Sequence, residues 1–165
     1  RKSFSLAILN KLCQFQERYK IIMNASSNVH SLVIANKIAS AASLFRKYFP
    51  DAKVNFSPWD NSYQNDLFDT LDFSFHFPGW RPSLECKAIL LQLRMDNSYQ
   101  NGMPILLGIV MKGMLLPKER WRLVTIGKWE ITGSYVPEKV QKDNLFLVCK
   151  ELYKLFSTTS GSNKK

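Results

Sequence analysis

The sequence predicts an α+β fold with two N-terminal helices, a largely antiparallel sheet of about five strands and one C-terminal helix. Three observations predict it. Apolar residues recur at spacings of four and three up to Pro50. The period then changes to two as far as Ile131, and helical spacing returns after Pro137. At 165 residues the chain is expected to form a single domain over 1–156, followed by a flexible polar tail over 157–165, "STTSGSNKK".

Each element follows from its own pattern. Ile8, Leu12, Phe15, Tyr19 and Ile22 lie on one face of a helix over residues 3–23. "NASSN" breaks it, and Ser26, Ser27 or Asn28 can cap a second helix. In that helix Ile34, Ile38, Ala41, Phe45 and Tyr48 keep the rhythm up to Pro50. "AKVNF" (52–56) reads as a short strand. "LDFSFHF" (71–77) alternates, with Leu71, Phe73, Phe75 and Phe77 on one face and Asp72, Ser74 and His76 on the other. That face is expected to be wet or to line a cleft. "FPGWRP" (77–82) reads as a turn. "LECKAILLQLR" (84–94) is apolar on both faces, as a central strand requires. Residues 104–116 and 121–131 read as two more strands, and Asn101-Gly102 as a hairpin turn before the first. Pro137 opens the last helix, with Leu145, Val148, Cys149, Leu152 and Phe156 facing the core. "DNSYQN" occurs at 60–65 and again at 96–101, and both copies read as polar loops.

Composition narrows the class of function. Lys and Arg outnumber Asp and Glu by 23 to 13, a net charge of +10 that favours nucleic acid, anionic headgroups or an acidic protein surface. The most apolar stretch, 104–116, is interrupted by Lys112 and two glycines and falls short of the ~20 residues of a membrane span. Cys13, Cys86 and Cys149 are isolated in apolar contexts, which points to core positions in an intracellular, reducing compartment. The first twenty residues are basic and amphipathic, as a processed targeting segment would be, but their core-facing spacing favours a structural helix.

The chemistry candidates centre on Glu85 and Lys87. On a strand, positions i and i+2 share a face, so a carboxylate and an ammonium would project together. Asp72, thirteen positions earlier, would supply a second acid from the neighbouring strand. Such a group can hold a divalent cation and place a lysine beside the scissile phosphate. Asp, a gap, then Glu-x-Lys at the head of an apolar strand, in "TLDFSFHFPGWRPSLECKAI", resembles the PD-(D/E)xK nuclease superfamily over residues 70–89. The resemblance implies cleavage of DNA or RNA dependent on Mg²⁺, with Asp72, Glu85 and Lys87 catalytic and Asp72 and Glu85 the metal ligands. Three departures stand against it. A strand, not a helix, follows the Glu-x-Lys strand. The proline that often precedes the first Asp is replaced by Leu71. Glu17, the acid available in the first helix, faces away from its apolar stripe. Glu85 and Lys87 as a salt-bridged entrance to a buried strand is the plainer alternative.

Aromatic and basic residues also occur together. Trp80 and Arg81 lie between two prolines, Arg120 and Arg122 flank Trp121, and Lys128 precedes Trp129. Such pairs stack on bases and neutralise phosphate, so Trp80, Arg81, Arg120, Arg122 and Lys128 are the candidate nucleic-acid contacts. Trp121 and Trp129, eight apart, would share one face of a regular strand. Two classes of function follow. One is a basic nucleic-acid-binding domain, with Mg²⁺-dependent cleavage as its sharpest form. The other is a non-catalytic interaction or assembly module whose Trp/Arg loops meet an acidic partner.

Overall fold

The structure, a computed structural model, describes residues 22–24, 32–58, 70–100 and 103–157. The expected first helix over 3–23 lies outside the described residues up to position 21, as do the first "DNSYQN", the Asn101-Gly102 turn, Cys13, Glu17 and the expected tail from 158 on. Helix α1 spans Leu32–Tyr48 and helix α2 Lys139–Ser157. The strands are β1 Ile22–Asn24, β2 Lys53–Asn55, β3 Thr70–Arg81, β4 Cys86–Gln100, β5 Met103–Leu115, β6 Lys118–Val124 and β7 Glu130–Gly133. The α+β class and the largely antiparallel sheet hold. Among the described residues the sheet has seven strands, in the order β1-β3-β4-β5-β6-β7, with β2 also paired to β3. Every pairing is antiparallel except that of β1 with β3.

α1 presents Ile34, Ile38, Ala41, Ala42 and Phe45 to the core and stops where Pro50 withdraws a backbone donor. Phe45 stacks on Phe75 of β3 with ring centroids 3.8 Å apart, and Phe49 meets Phe77 edge-on at 6.3 Å. α2 buries the five residues its spacing selects, Leu145, Val148, Cys149, Leu152 and Phe156. Both helices share one core with Phe73, Phe75, Ile89, Leu91, Leu93, Ile109, Met111, Trp121 and Leu123. Leu90 is buried on the opposite side of β4, so that strand is internal, as its run of apolar residues requires.

Several local expectations need correction. Ile22–Asn24 is a strand, pairing with Thr70–Asp72, where the helical stripe had been extended through Ile22. "FPGWRP" is not a simple turn. β3 runs on to Arg81 through a register shift after His76, and Pro82–Leu84 form a short 3₁₀ turn. Asp96–Gln100, in the second "DNSYQN", extends β4, and Gln100 pairs with Met103. Residues 121–131 are two strands, because Gly127 at φ 81 turns the chain between β6 and β7. Trp121 and Trp129 are therefore not on one strand: Trp121 is fully buried, while Trp129 stacks on Tyr153 at 5.6 Å and Phe146 at 6.3 Å. Finally, of the face expected to be wet or to line a cleft, Asp72 and Ser74 are buried and His76 is exposed.

Candidate functional site

The connection between β3 and β4 is built by a residue that breaks the alternating pattern. Glu85 has left-handed backbone, φ 53 and ψ 32, and closes the 3₁₀ turn by donating its N–H to the Pro82 carbonyl at 3.1 Å. β4 begins only at Cys86, so Glu85 and Lys87 are not i and i+2 on one strand. The Glu85 carboxylate turns to Arg120 of β6, with Nη2 to Oε2 at 2.8 Å, while Arg120 Nε donates to the Glu85 carbonyl at 3.2 Å. Lys87 is exposed. Asp72 is fully buried at the far part of the sheet, opposite Gln92, whose amide donates to its Oδ2 at 3.3 Å. Gln92 stands five positions from Lys87 along β4, about 16 Å at ~3.3 Å per residue. The structure thus separates Asp72 from Glu85 and Lys87. Among the described residues no group of three metal-ligating side chains comes together.

The aromatic and basic candidates are brought together in part. The guanidinium of Arg120 lies 5.1 Å from the centre of the Trp80 ring and 3.6 Å from that of Tyr135. Arg120 therefore lies against two aromatic rings and is held by a carboxylate as well. Trp80 is 40% exposed and Tyr135 52%. Gly133 makes this corner possible. At φ 147 it passes so close to the Arg120 carbonyl that a Cβ would overlap it, and two residues on the Tyr135 N–H reaches that carbonyl at 3.3 Å. Below the corner Trp121 donates its indole N–H to the Leu84 carbonyl at 2.7 Å, and the Glu138 N–H donates to the Ser83 carbonyl at 2.9 Å. These bonds tie the β3–β4 connection to β6 and to the approach to α2.

The other candidates are engaged or lie elsewhere. Arg81 is ion-paired with Asp51 and lies 5.1 Å from the Phe77 ring centre. Arg122 is gripped by both oxygens of Glu119, at 2.7 and 2.9 Å, and those hydrogen bonds hold the Glu119 carboxyl below its ordinary range. Lys128 sits in the β6–β7 turn, at the opposite end of the sheet from Trp80. All three nominated arginines thus already hold a carboxylate. Tyr135 was missed in the sequence because "GSYVP" reads as an ordinary polar turn, and only the β6–β7 pairing carries it to Arg120. The family model that matches this chain is described as a domain of unknown function and covers residues 26–158. No curated protein and no solved structure matches the chain.

Proposed function

The chain belongs to that domain-of-unknown-function family, and we propose that it is a non-catalytic interaction module that docks an acidic protein through the Trp80–Arg120–Tyr135 end of its sheet. The observation that carries this reading is the pair of exposed aromatic rings clamped on a neutralised arginine. Rings already fixed in place lose little conformational freedom on binding, and exposed tryptophan and tyrosine are frequent anchors of interfaces. Apolar surface continues around them. Leu116, beyond the end of β5, is 69% exposed, and Val136 and Val140 are exposed on the approach to α2. Monomeric surfaces rarely leave such groups together without a partner.

Charge favours an acidic partner at this end. Lys87, Lys118 and Lys139 are exposed there, while Arg81 and Arg120 are matched by Asp51 and Glu85. A phosphate would have to displace a carboxylate from each of those arginines, which argues against this corner as the nucleic-acid site. The test is a photo-crosslinking residue placed at Val136, followed by titration of the captured protein against the purified domain. Trp80→Ala is expected to weaken binding at least ~10-fold, the mark of an interface anchor, with the melting temperature unchanged. Equal binding by Trp80→Ala and wild type would overturn the reading.

A further inference from the structure

We infer a second, independent site: a phosphodiester-binding strip on the sheet face opposite the two described helices, for the backbone of a single-stranded nucleic acid. In an antiparallel ladder, residues directly opposite one another share a face. Lys53 pairs with His76, His76 with Ala88 and Ala88 with Met114. One rung away, Leu90 pairs with Lys112, Lys112 with Arg122 and Arg122 with Thr132. The face thus carries two cross-strand pairs, Lys53/His76 and the doubly basic Lys112/Arg122, on either side of a floor of Ala88 and Leu90. Lys53, His76, Arg122 and Thr132 are exposed and Lys112 is half-buried, while Ala88 and Leu90 are buried.

Like charges directly opposite on neighbouring strands repel, so an anion beside Lys112 and Arg122 is stabilising. Among the described residues the carboxylate set against both is that of Glu119, with Glu130 one rung further along the same face. Glu119 is bidentate on Arg122, and the charge of Lys112 acts on that same carboxyl from nearby. Neither Lys53 nor Lys112 has an ion-pair partner among the described residues. From β2 to β7 the strip crosses five gaps between strands, about 24 Å at ~4.8 Å each, far wider than a single phosphate. That width fits a run of phosphates. Among these in-register positions the only ring is that of His76, whose Nε2 lies 2.9 Å from the Ser74 hydroxyl. The contacts are therefore to phosphate, and binding should be indifferent to sequence.

The test is fluorescence anisotropy with a labelled oligothymidylate of about 15 nucleotides, titrated at several salt concentrations. The double variant Lys53→Gln/Lys112→Gln should bind at least ~10-fold more weakly at low salt. The slope of log affinity against log salt should fall by about 1.4, two contacts at ~0.7 each. Lys53→Arg/Lys112→Arg should bind as wild type does, which excludes a folding defect as the cause. Trp80→Ala should leave the affinity unchanged. Equal affinity and slope for wild type and the Gln variant would overturn the inference. So would loss of oligonucleotide binding in Trp80→Ala alone, which would move the phosphate contacts to the docking end. Binding to phosphatidylserine vesicles with none to the oligonucleotide would assign the strip to a membrane surface and overturn it as well.

Discussion

Trp121 shows how much one side chain can organise. Its ring fills the core under the corner, its N–H satisfies the Leu84 carbonyl, and it lies so close over Gly113 that a Cβ there would overlap the indole. Trp121→Phe should cost about 1–3 kcal/mol, mainly by leaving the buried Leu84 carbonyl without its donor. Gly113→Ala should cost about 1–3 kcal/mol by forcing the indole to move. Denaturant melts measure both, and either variant melting like wild type would count against this packing. The thiols make a second prediction at this scale. Burial pushes Cys86 and Cys149 up to about 12. A neutral thiol is a poor nucleophile, so in a Cys13→Ser background neither should react with an aromatic disulfide reagent at pH 8 until the chain unfolds. Because these pKa values are raised in the folded state, the associated stability is complete below the ordinary thiol pKa. It is lost as pH rises from there towards about 12. Rapid labelling of the native protein would contradict the burial.

The elements are held to one another by a few contacts. α1 is held on the sheet by the Phe45, Phe49, Phe75 and Phe77 rings. Phe45→Ala should therefore destabilise by about 3–5 kcal/mol, as a truncated buried ring does. α2 is secured at its far end by a polar contact. The Thr125 hydroxyl accepts the Ile109 N–H at 2.9 Å and lies 2.7 Å from the Tyr153 hydroxyl. Thr125→Val keeps the shape of the side chain and removes the hydroxyl's hydrogen bonds, so about 1–3 kcal/mol should be lost. Hydrogen exchange should then quicken at Ile109, and unchanged exchange there would show that Thr125 does not hold the strand.

Across the whole molecule, separation itself is testable. Asp72 lies too far along the sheet from Lys87 to share an ion or a substrate atom with it. Asp72→Asn and Lys87→Ala should therefore be additive in stability within about 0.3–0.5 kcal/mol, as distant sites are. Mg²⁺ at millimolar concentration should leave the melting temperature of the wild type unchanged, since a ligand raises it only by binding the native state. Strong coupling between the two substitutions, or a Mg²⁺-dependent shift that both abolish, would restore the nuclease reading. The net charge of +10 acts at this scale too. It accelerates encounter with an acidic protein and with nucleic acid alike, so the two proposed surfaces are distinguished by substitution rather than by salt.

The sequence by itself determined the period of each segment, and with it the fold class, the internal position of β4 and the core faces of α1 and α2. Periodicity is local: a stripe of apolar residues settles which side is buried whatever it packs against. It also showed that Trp80, Tyr135 and Arg120 exist, but not that they meet across separations of 40 and 15 positions. That was decided by ladder register, by the shift in β3 after His76 and by two backbone conformations, Glu85 at φ 53 and Gly133 at φ 147. The length of β3 separates the residues of the sharpest expectation. Asp72 and Glu85 are only thirteen residues apart, yet β3 carries the chain the length of the sheet before Glu85 turns it back. Alternation names the face on which a side chain lies, but how far along that face two side chains stand depends on pairing between strands, which no single segment encodes.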